Sequence, residues 1–193
     1  MRIIGLDLSI TSTGFCVVDG EKKMLDNGVI KTKPKDFSSD MKRFDMIATT
    51  VFDKMGEHCC DGAFVENYAY AARGNVARLA ELGGIIKHDL MCTWGMAPGD
   101  KLFVVSPSTL KKYVLGSGVA EKSLILKTVL KKWKVDLDDD NIADAYGLAR
   151  LGVDFVKYNK DAAYTCDHKY EDECIKAVAK QNGLKLERRK KDD

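Results

Sequence analysis

The chain has 193 residues, of which 45% are hydrophobic and 31% are charged, and its formal net charge is +2. This composition excludes a disordered segment and predicts one domain with a substantial core. No apolar run approaches the roughly 20 residues that cross a bilayer, which excludes a membrane-spanning helix.

The first residues enter a strand pattern directly, without a signal peptide or transit segment. We therefore expect a cytoplasmic protein, either associated with the nucleoid or working at a viral replication site in a host cytoplasm. The six cysteines form no CxxC pair, so free thiols are predicted.

Short apolar runs and helical spacing of apolar residues predict alternating strands and helices along the chain. Strands are predicted at 2–7, 15–19, 24–32, 62–66 and 101–105, and helices at 39–57, 75–94, from 107, 121–133, 139–158 and 170–182. Strands first, followed by helices alternating with strands, predict an α/β fold in which helices flank a mixed central sheet. We expect residues 1–158 to form the main domain and residues 159–193 a helical, charged extension.

Two of the predicted strands end in a carboxylate. Asp7 ends the first strand and Glu66 ends the strand at 62–66. If these strands are neighbours, the two like charges repel each other, and a divalent cation would compensate them. The alternative is that Glu66 is a rim residue paired with a lysine.

A third carboxylate, Asp144, lies inside a predicted helix among alanines. Asp140 and Asn141 precede it by four and three residues, so they share its face of the helix. Asp140 can also act as a charge that favours the helix N-terminus, and this explanation suffices for Asp138 and Asp139. It does not explain Asp144.

The charge is distributed unevenly. Lysines dominate residues 101–135, and aspartates dominate the segment that follows immediately. A basic stretch beside an acidic cluster indicates a polyanion held next to a cation site. The alternative is an ordinary solvated lysine face.

Four segments of the chain together resemble the RuvC family of Holliday junction resolvases. They are Gly-Leu-Asp-Leu-Ser at 5–9 with Thr-Gly-Phe at 13–15, Phe-Val-Glu-Asn at 64–67, Pro107 to the lysine pair 111–112 with Gly-Ser-Gly-Val-Ala-Glu-Lys at 116–122, and Asn-Ile-Ala-Asp-Ala-Tyr-Gly-Leu-Ala at 141–149. They occur in the family's order over residues 1–156, and the resemblance implies a ribonuclease H-like fold. The family's four acidic positions fall on Asp7, Glu66, Asn141 and Asp144. Asn141 departs from the family, which usually has an acidic residue or a histidine there, so Asp140 is the alternative fourth ligand.

The resemblance implies metal-dependent nicking of four-way DNA junctions that leaves 5′-phosphate and 3′-hydroxyl ends. Two Mg²⁺ ions per active site are expected, with Mn²⁺ able to replace them. Asp7 would bridge both ions, Glu66 would hold one, and Asp144 with Asp140 or Asn141 would hold the other.

The resemblance also assigns DNA contacts. Lys122 would contact the scissile phosphate, and Lys111 and Lys112 would bind flanking phosphates. The aromatic segment after Glu66 would meet unpaired bases at the junction; its candidate DNA-binding residues are Tyr68, Tyr70 and Arg73. The helix at 75–94 occupies the place of the family's dimer helix, so a homodimer is expected.

Three other functions compete with a junction resolvase. A broader branched-DNA or flap nuclease would use the same metal site, and a junction-binding protein without catalysis would keep only the DNA contacts. A sugar kinase or actin-like ATPase shares an acidic strand end followed by a Ser/Thr/Gly turn. The sequence contains no second phosphate loop and is short for two lobes, so no nucleotide cofactor is expected.

Overall fold

A computed structural model describes residues 1–68, 76–118 and 124–186. The strands are β1 (Arg2–Asp7), β2 (Ser12–Asp19), β3 (Met24–Lys31), β4 (Gly62–Glu66) and β5 (Leu102–Val105). The helices are α1 (Asp40–His58), α2 (Val76–Cys92), α3 (Pro107–Leu115), α4 (Leu124–Trp133), α5 (Asp140–Lys160) and α6 (Lys169–Gln181).

The five strands form one mixed sheet in the order β3-β2-β1-β4-β5. β1 and β3 are antiparallel to β2, whereas β1, β4 and β5 are parallel to one another. The predicted mixed sheet flanked by helices is therefore confirmed. β2 begins earlier than the predicted residue 15, because Ser12 and Thr13 already pair with Lys31 and Ile30.

Alternation of side chains along the strands divides the core into two layers. Ile4 and Leu6 of β1 pack on the face covered by α1 and α2. Ile3 of β1 and Phe64 of β4 pack on the opposite face, under α3, α4, α5 and α6. Each residue of β1 or β4 can thus be assigned to one layer by its position.

Helix α5 lies unusually close to the sheet because glycines replace side chains beneath it. A Cβ atom on Gly5 would stand 2.0 Å from the carbonyl oxygen of Ala145, and one on Gly14 would stand 2.2 Å from that of Asn141. Any larger residue at either position would push the helix outward. The two glycines therefore fix the height and direction of α5 over β1 and β2.

The C-terminal extension contributes to the same core as the rest of the chain. Cys174, Ile175 and Val178 of α6 are buried in the layer under α5. At the end of α6, the Asn182 side chain accepts a hydrogen bond from the Val104 amide and donates one to the Val104 carbonyl, both at 2.9 Å. The Asn182 side chain thus joins the end of α6 to the edge strand β5. Within the described residues, no helix is long and apolar enough to cross a membrane.

Candidate active site

Asp7 and Glu66 occupy matching positions at the ends of two neighbouring parallel strands. Leu6 pairs with Val65 in the β1–β4 register, so the next residue on each strand is the carboxylate. Asp7 shares the face of Gly5, and Glu66 shares the face of Phe64, which is the face covered by α5. Because adjacent strands lie about 4.8 Å apart, these carboxylates emerge side by side on one face of the sheet.

The turn after Asp7 is held by hydrogen bonds of its own. The Thr13 hydroxyl donates to the Ser9 carbonyl at 2.5 Å and accepts from the Ser9 amide at 3.1 Å. The Thr32 hydroxyl donates to the Ile10 carbonyl at 2.7 Å. This bonding fixes the small-residue turn that the sequence placed beside the first carboxylate.

Helix α5 brings the third carboxylate to the same place. Asp7 pairs with Gly14 in the β1–β2 register, and Asn141 lies directly over Gly14. One turn further along α5, Asp144 lines a cavity of about 210 Å³ together with Glu66. Asp144 and Asp7 are only 6% and 8% exposed. Segments that are distant in sequence thus deliver three carboxylates to one end of the sheet.

The aspartates at the start of α5 have different roles. Asp139 is the N-cap, and its carboxylate accepts from the Asn141 amide at 2.9 Å and from the Asn141 side chain at 2.8 Å. Burial raises the pKa of Asp139, but these hydrogen bonds and the charge of Lys31 lower it below its usual value. Asp139 thus lies at the helix N-terminus, where a favourable charge was expected, and it also caps the helix through these hydrogen bonds. Asp140 and Asn141, the two candidates for the fourth ligand, are both half-buried at the next positions.

The cavity joins predicted site residues to two leucines, Leu79 and Leu110, that the sequence did not single out. Its lining comprises Leu8, Glu66, Asn67, Tyr68, Leu79, Pro107, Leu110, Lys111 and Asp144. The apolar members come from the turn after β1 and from α2 and α3, so no local pattern could have joined them. The lining combines two carboxylates and one cationic side chain with several apolar side chains.

The predicted DNA contacts differ in their placement. Lys111 lines the cavity, whereas Lys112 donates to Glu173 of α6 at 2.7 Å, a hydrogen bond that raises the pKa of Lys112. Tyr68 also lines the cavity, and Lys87 Nζ stands 5.5 Å from the centre of its ring. Lys122, Tyr70 and Arg73 lie outside the described residues.

A second group of possible metal ligands lies between β3 and α1. Ligand atoms of Asp26, Glu57 and His58 are all within 4.8 Å of one another. Lys54 Nζ stands 3.2 Å from an Asp26 oxygen and 2.8 Å from a Glu57 oxygen, so an ammonium group already balances these carboxylates. No local sequence pattern reveals this group, because Asp26 and His58 are 32 residues apart in the sequence.

The strand-end carboxylates form a wider group. Across the three described stretches of chain, no equally tight set of three ligands contains Asp7, Glu66 or Asp144. Ligands of one ion must meet at one point, whereas ligands of two ions about 3.5–4 Å apart are spread over a longer distance.

Comparison with known proteins gives a consistent family. A family model described as "Crossover junction endodeoxyribonuclease RuvC" matches residues 3–151. The RuvC of Parasynechococcus marenigrum is 29% identical over 161 residues, which cover 79% of this chain and 97% of that relative.

Solved structures show the same fold. Thermus thermophilus RuvC superposes with a TM-score of 0.64 at 22% identity, covering 79% of this chain and 98% of that protein. The same relative in complex with a Holliday junction substrate superposes with a TM-score of 0.62 at 20% identity, covering 77% and 90% of the two chains.

Proposed function

Because the chain belongs to the RuvC family of crossover junction endodeoxyribonucleases, we propose that Asp7, Glu66 and Asp144 form the active site with which it nicks Holliday junctions. The observation that carries this proposal is the meeting of three carboxylates, from β1, β4 and α5, at one end of the sheet. The family makes the protein an endodeoxyribonuclease rather than a sugar kinase or an ATPase. Its substrate is branched DNA, above all the four-way junction.

The ligand chemistry fits hard divalent cations. The candidate ligands are carboxylate oxygens, with the amide oxygen of Asn141 as a possible addition, and Mg²⁺ and Mn²⁺ prefer such oxygen ligands. Asp7 would bridge two ions, Glu66 would hold one, and Asp144 with Asp140 or Asn141 would hold the other. When bound, the ions would supply an activated water and stabilise the leaving 3′ oxygen.

Side chains around the carboxylates would position the DNA strand. Lys111 shares the cavity with Glu66 and Asp144, so its ammonium group can contact an oxygen of the scissile phosphate. We assign Lys122 to the same phosphate and Lys112, despite its ion pair with Glu173, to a flanking one. The apolar side chains of Leu8 and Leu79, which line the cavity, would limit the access of water to the reacting phosphate.

The shape of a four-way junction suggests the remaining DNA contacts and a dimeric assembly. Tyr68 and Tyr70 would stack on unpaired bases at the junction centre, and Arg73 would bind nearby phosphate. A four-way junction has approximate twofold symmetry, and a homodimer presents two equivalent active sites to it. Paired nicks with 5′-phosphate and 3′-hydroxyl ends would result, in the cytoplasm where the nucleoid or a replicating viral genome lies.

The test is the cleavage of a synthetic four-way junction compared with a flap and a linear duplex of the same sequence. We expect symmetric nicks in the junction with Mg²⁺ or Mn²⁺, no nicks with EDTA, and no nicks by Asp7→Asn, which should still bind the junction. Equal cleavage of flap and junction would identify a broader branched-DNA nuclease. An Asp7→Asn protein that cuts as fast as the parent would refute the assignment of the site.

A further inference from the structure

Two potential metal ligands outside the proposed active site stand one turn apart near the end of α2. His88 Nε2 and Cys92 Sγ are 3.6 Å apart, and both side chains are exposed. Tetrahedral zinc holds a thiolate at about 2.3 Å and an imidazole at about 2.0–2.1 Å, which places these two atoms about 3.6 Å from each other. The pair thus has the separation of two ligands of one zinc ion.

A neighbouring carboxylate determines which nitrogen of the His88 imidazole carries the proton. Asp89 Oδ1 lies 3.2 Å from Nδ1 of His88. An ionised carboxylate only accepts hydrogen bonds, so this contact assigns the ring proton to Nδ1 and leaves a lone pair on Nε2, beside the Cys92 sulfur. Histidines that bind metals usually donate their other ring N–H to a carboxylate or carbonyl in this way.

The backbone that carries the pair is well anchored. The Thr93 amide donates to the Asp89 carbonyl at 2.8 Å, and the Met96 amide donates to the Leu90 carbonyl at 3.0 Å. Leu90 and Met96 are both buried. The last turn of α2 therefore presents His88 and Cys92 from a fixed support, as a metal site requires.

One chain supplies only half of a zinc site. Structural zinc takes four ligands, and the described residues place no third ligand in a tight group with this pair. The surrounding face of α2 suits another copy of the chain: Met91 is 45% exposed, and a Cβ atom on Gly84 would meet nothing within 4 Å. The α2 faces of two copies can therefore pack closely at this point without a steric clash.

We propose that His88 and Cys92 from two copies of the chain bind one zinc ion and so bridge the homodimer. The proposal rests on the proposed function only in taking the dimer from it. Binding releases each Cys92 thiol proton to the solvent, because the thiolate is the ligand. Twofold symmetry supplies two sulfurs and two nitrogens, a common set for structural zinc.

The test titrates the reduced, metal-free protein with zinc and measures bound metal and molecular mass in the same samples. We expect one zinc per two chains and a dimer that persists to lower protein concentration with zinc than with chelator. Cobalt in place of zinc should give the absorption of tetrahedral thiolate coordination. Cys92→Ser and His88→Asn should abolish all three signals, and Asp89→Asn should weaken zinc binding by about 10–100-fold.

Two matched controls separate this site from other ligands. Cys59→Ser removes another exposed thiol, and His58→Asn removes the histidine of the β3–α1 group; neither should change the zinc stoichiometry. Zinc bound at one ion per chain, or retained by Cys92→Ser, would overturn the proposal. The experiment contains no DNA, so its failure leaves the nuclease assignment intact, and a failure of junction cleavage leaves the zinc result intact.

Discussion

Among the described residues, two groups of acidic side chains differ in compactness and in burial. The β3–α1 group is tight enough for a single ion, but Lys54 bridges Asp26 and Glu57, and His58 contacts Asp26 at 3.1 Å. The strand-end group is wider, and its members Asp7 and Asp144 are almost completely buried.

If the proposed active site is correct, the closeness of ligand atoms is a poor guide to the metal site in this protein. Partly exposed carboxylates that surround an ammonium group form an ion-pair network, which needs no further cation. Two buried carboxylates and the half-buried Glu66 at one sheet end carry a desolvation cost and repel one another, and bound cations would relieve both. Under the proposed function, burial and convergence of like charge mark the functional group better than distance does.

The largest contrast is expected when one carboxylate of each group becomes an amide. Asp144→Asn should lower the rate of junction nicking by about 10³-fold or more, equivalent to about 4 kcal/mol, because it removes a proposed metal ligand without changing the side-chain shape. Asp26→Asn should leave the rate within about twofold of the parent, because this side chain lies in the ion-pair network. Single-turnover cleavage in Mg²⁺ measures both rates.

Junction binding in EDTA is the control for this pair, and both variants should retain it. The comparison fails if Asp26→Asn loses nicking while Asp144→Asn keeps it. In that case the tighter group would be the catalytic one.

A smaller contrast is expected between two adjacent lysines. Lys111 lines the cavity with Glu66 and Asp144, whereas Lys112 is bound to Glu173. Lys111→Ala should reduce nicking by about 10–100-fold, equivalent to about 1.4–2.7 kcal/mol, because it removes a positive charge beside the reacting phosphate. Lys112→Ala should reduce it by less than about threefold, since an exposed ion pair contributes little.

The same cleavage assay measures both lysine variants, and thermal unfolding checks that each is folded. Equal losses would mean that both side chains only dock the DNA, and then the affinity for the junction should fall in parallel with the rate.

Much of the strand-end group could be predicted from sequence because local rules determine it. The twofold alternation of a strand places Asp7 and Glu66 at matching ends, and small residues around Asp144 indicate a helix that packs closely on a sheet. Repulsion between neighbouring carboxylates then pointed to cations. The alternation and the small residues are local patterns, whereas the pairing of β1 with β4 joins elements far apart in sequence and was assumed rather than derived.

Other features depend on long-range packing and could not be predicted. Asp26 meets His58 across 32 residues, and Lys112 meets Glu173 across 61. No pattern within α3 distinguishes Lys111 from Lys112 until α6 covers one side of that helix. The integration of α6 into the core has the same cause, because its anchor, Asn182, binds β5 far back in the chain.

The smallest effect is expected in the pH dependence of stability, and it concerns the ion-pair network alone. Burial raises the pKa of Asp26, but hydrogen bonds from His58, Lys54 and the Asn27 amide lower it below the ordinary value of 3.8. A carboxyl group whose pKa is lowered by folding stabilises the folded state above its unfolded pKa, and this contribution is lost as the pH falls through the folded pKa.

Urea unfolding of the parent and of Asp26→Asn at pH 7 and at pH 2.5 measures this contribution. The parent should be more stable by about 0.2–1 kcal/mol at pH 7, and the difference should shrink at the lower pH. Lys54→Met should show a similar loss at pH 7, and adding it to Asp26→Asn should cost little more, because both remove the same interaction. A difference that stays the same at pH 2.5 would have to come from packing, and the β3–α1 group would then not owe its stability to the ammonium group of Lys54.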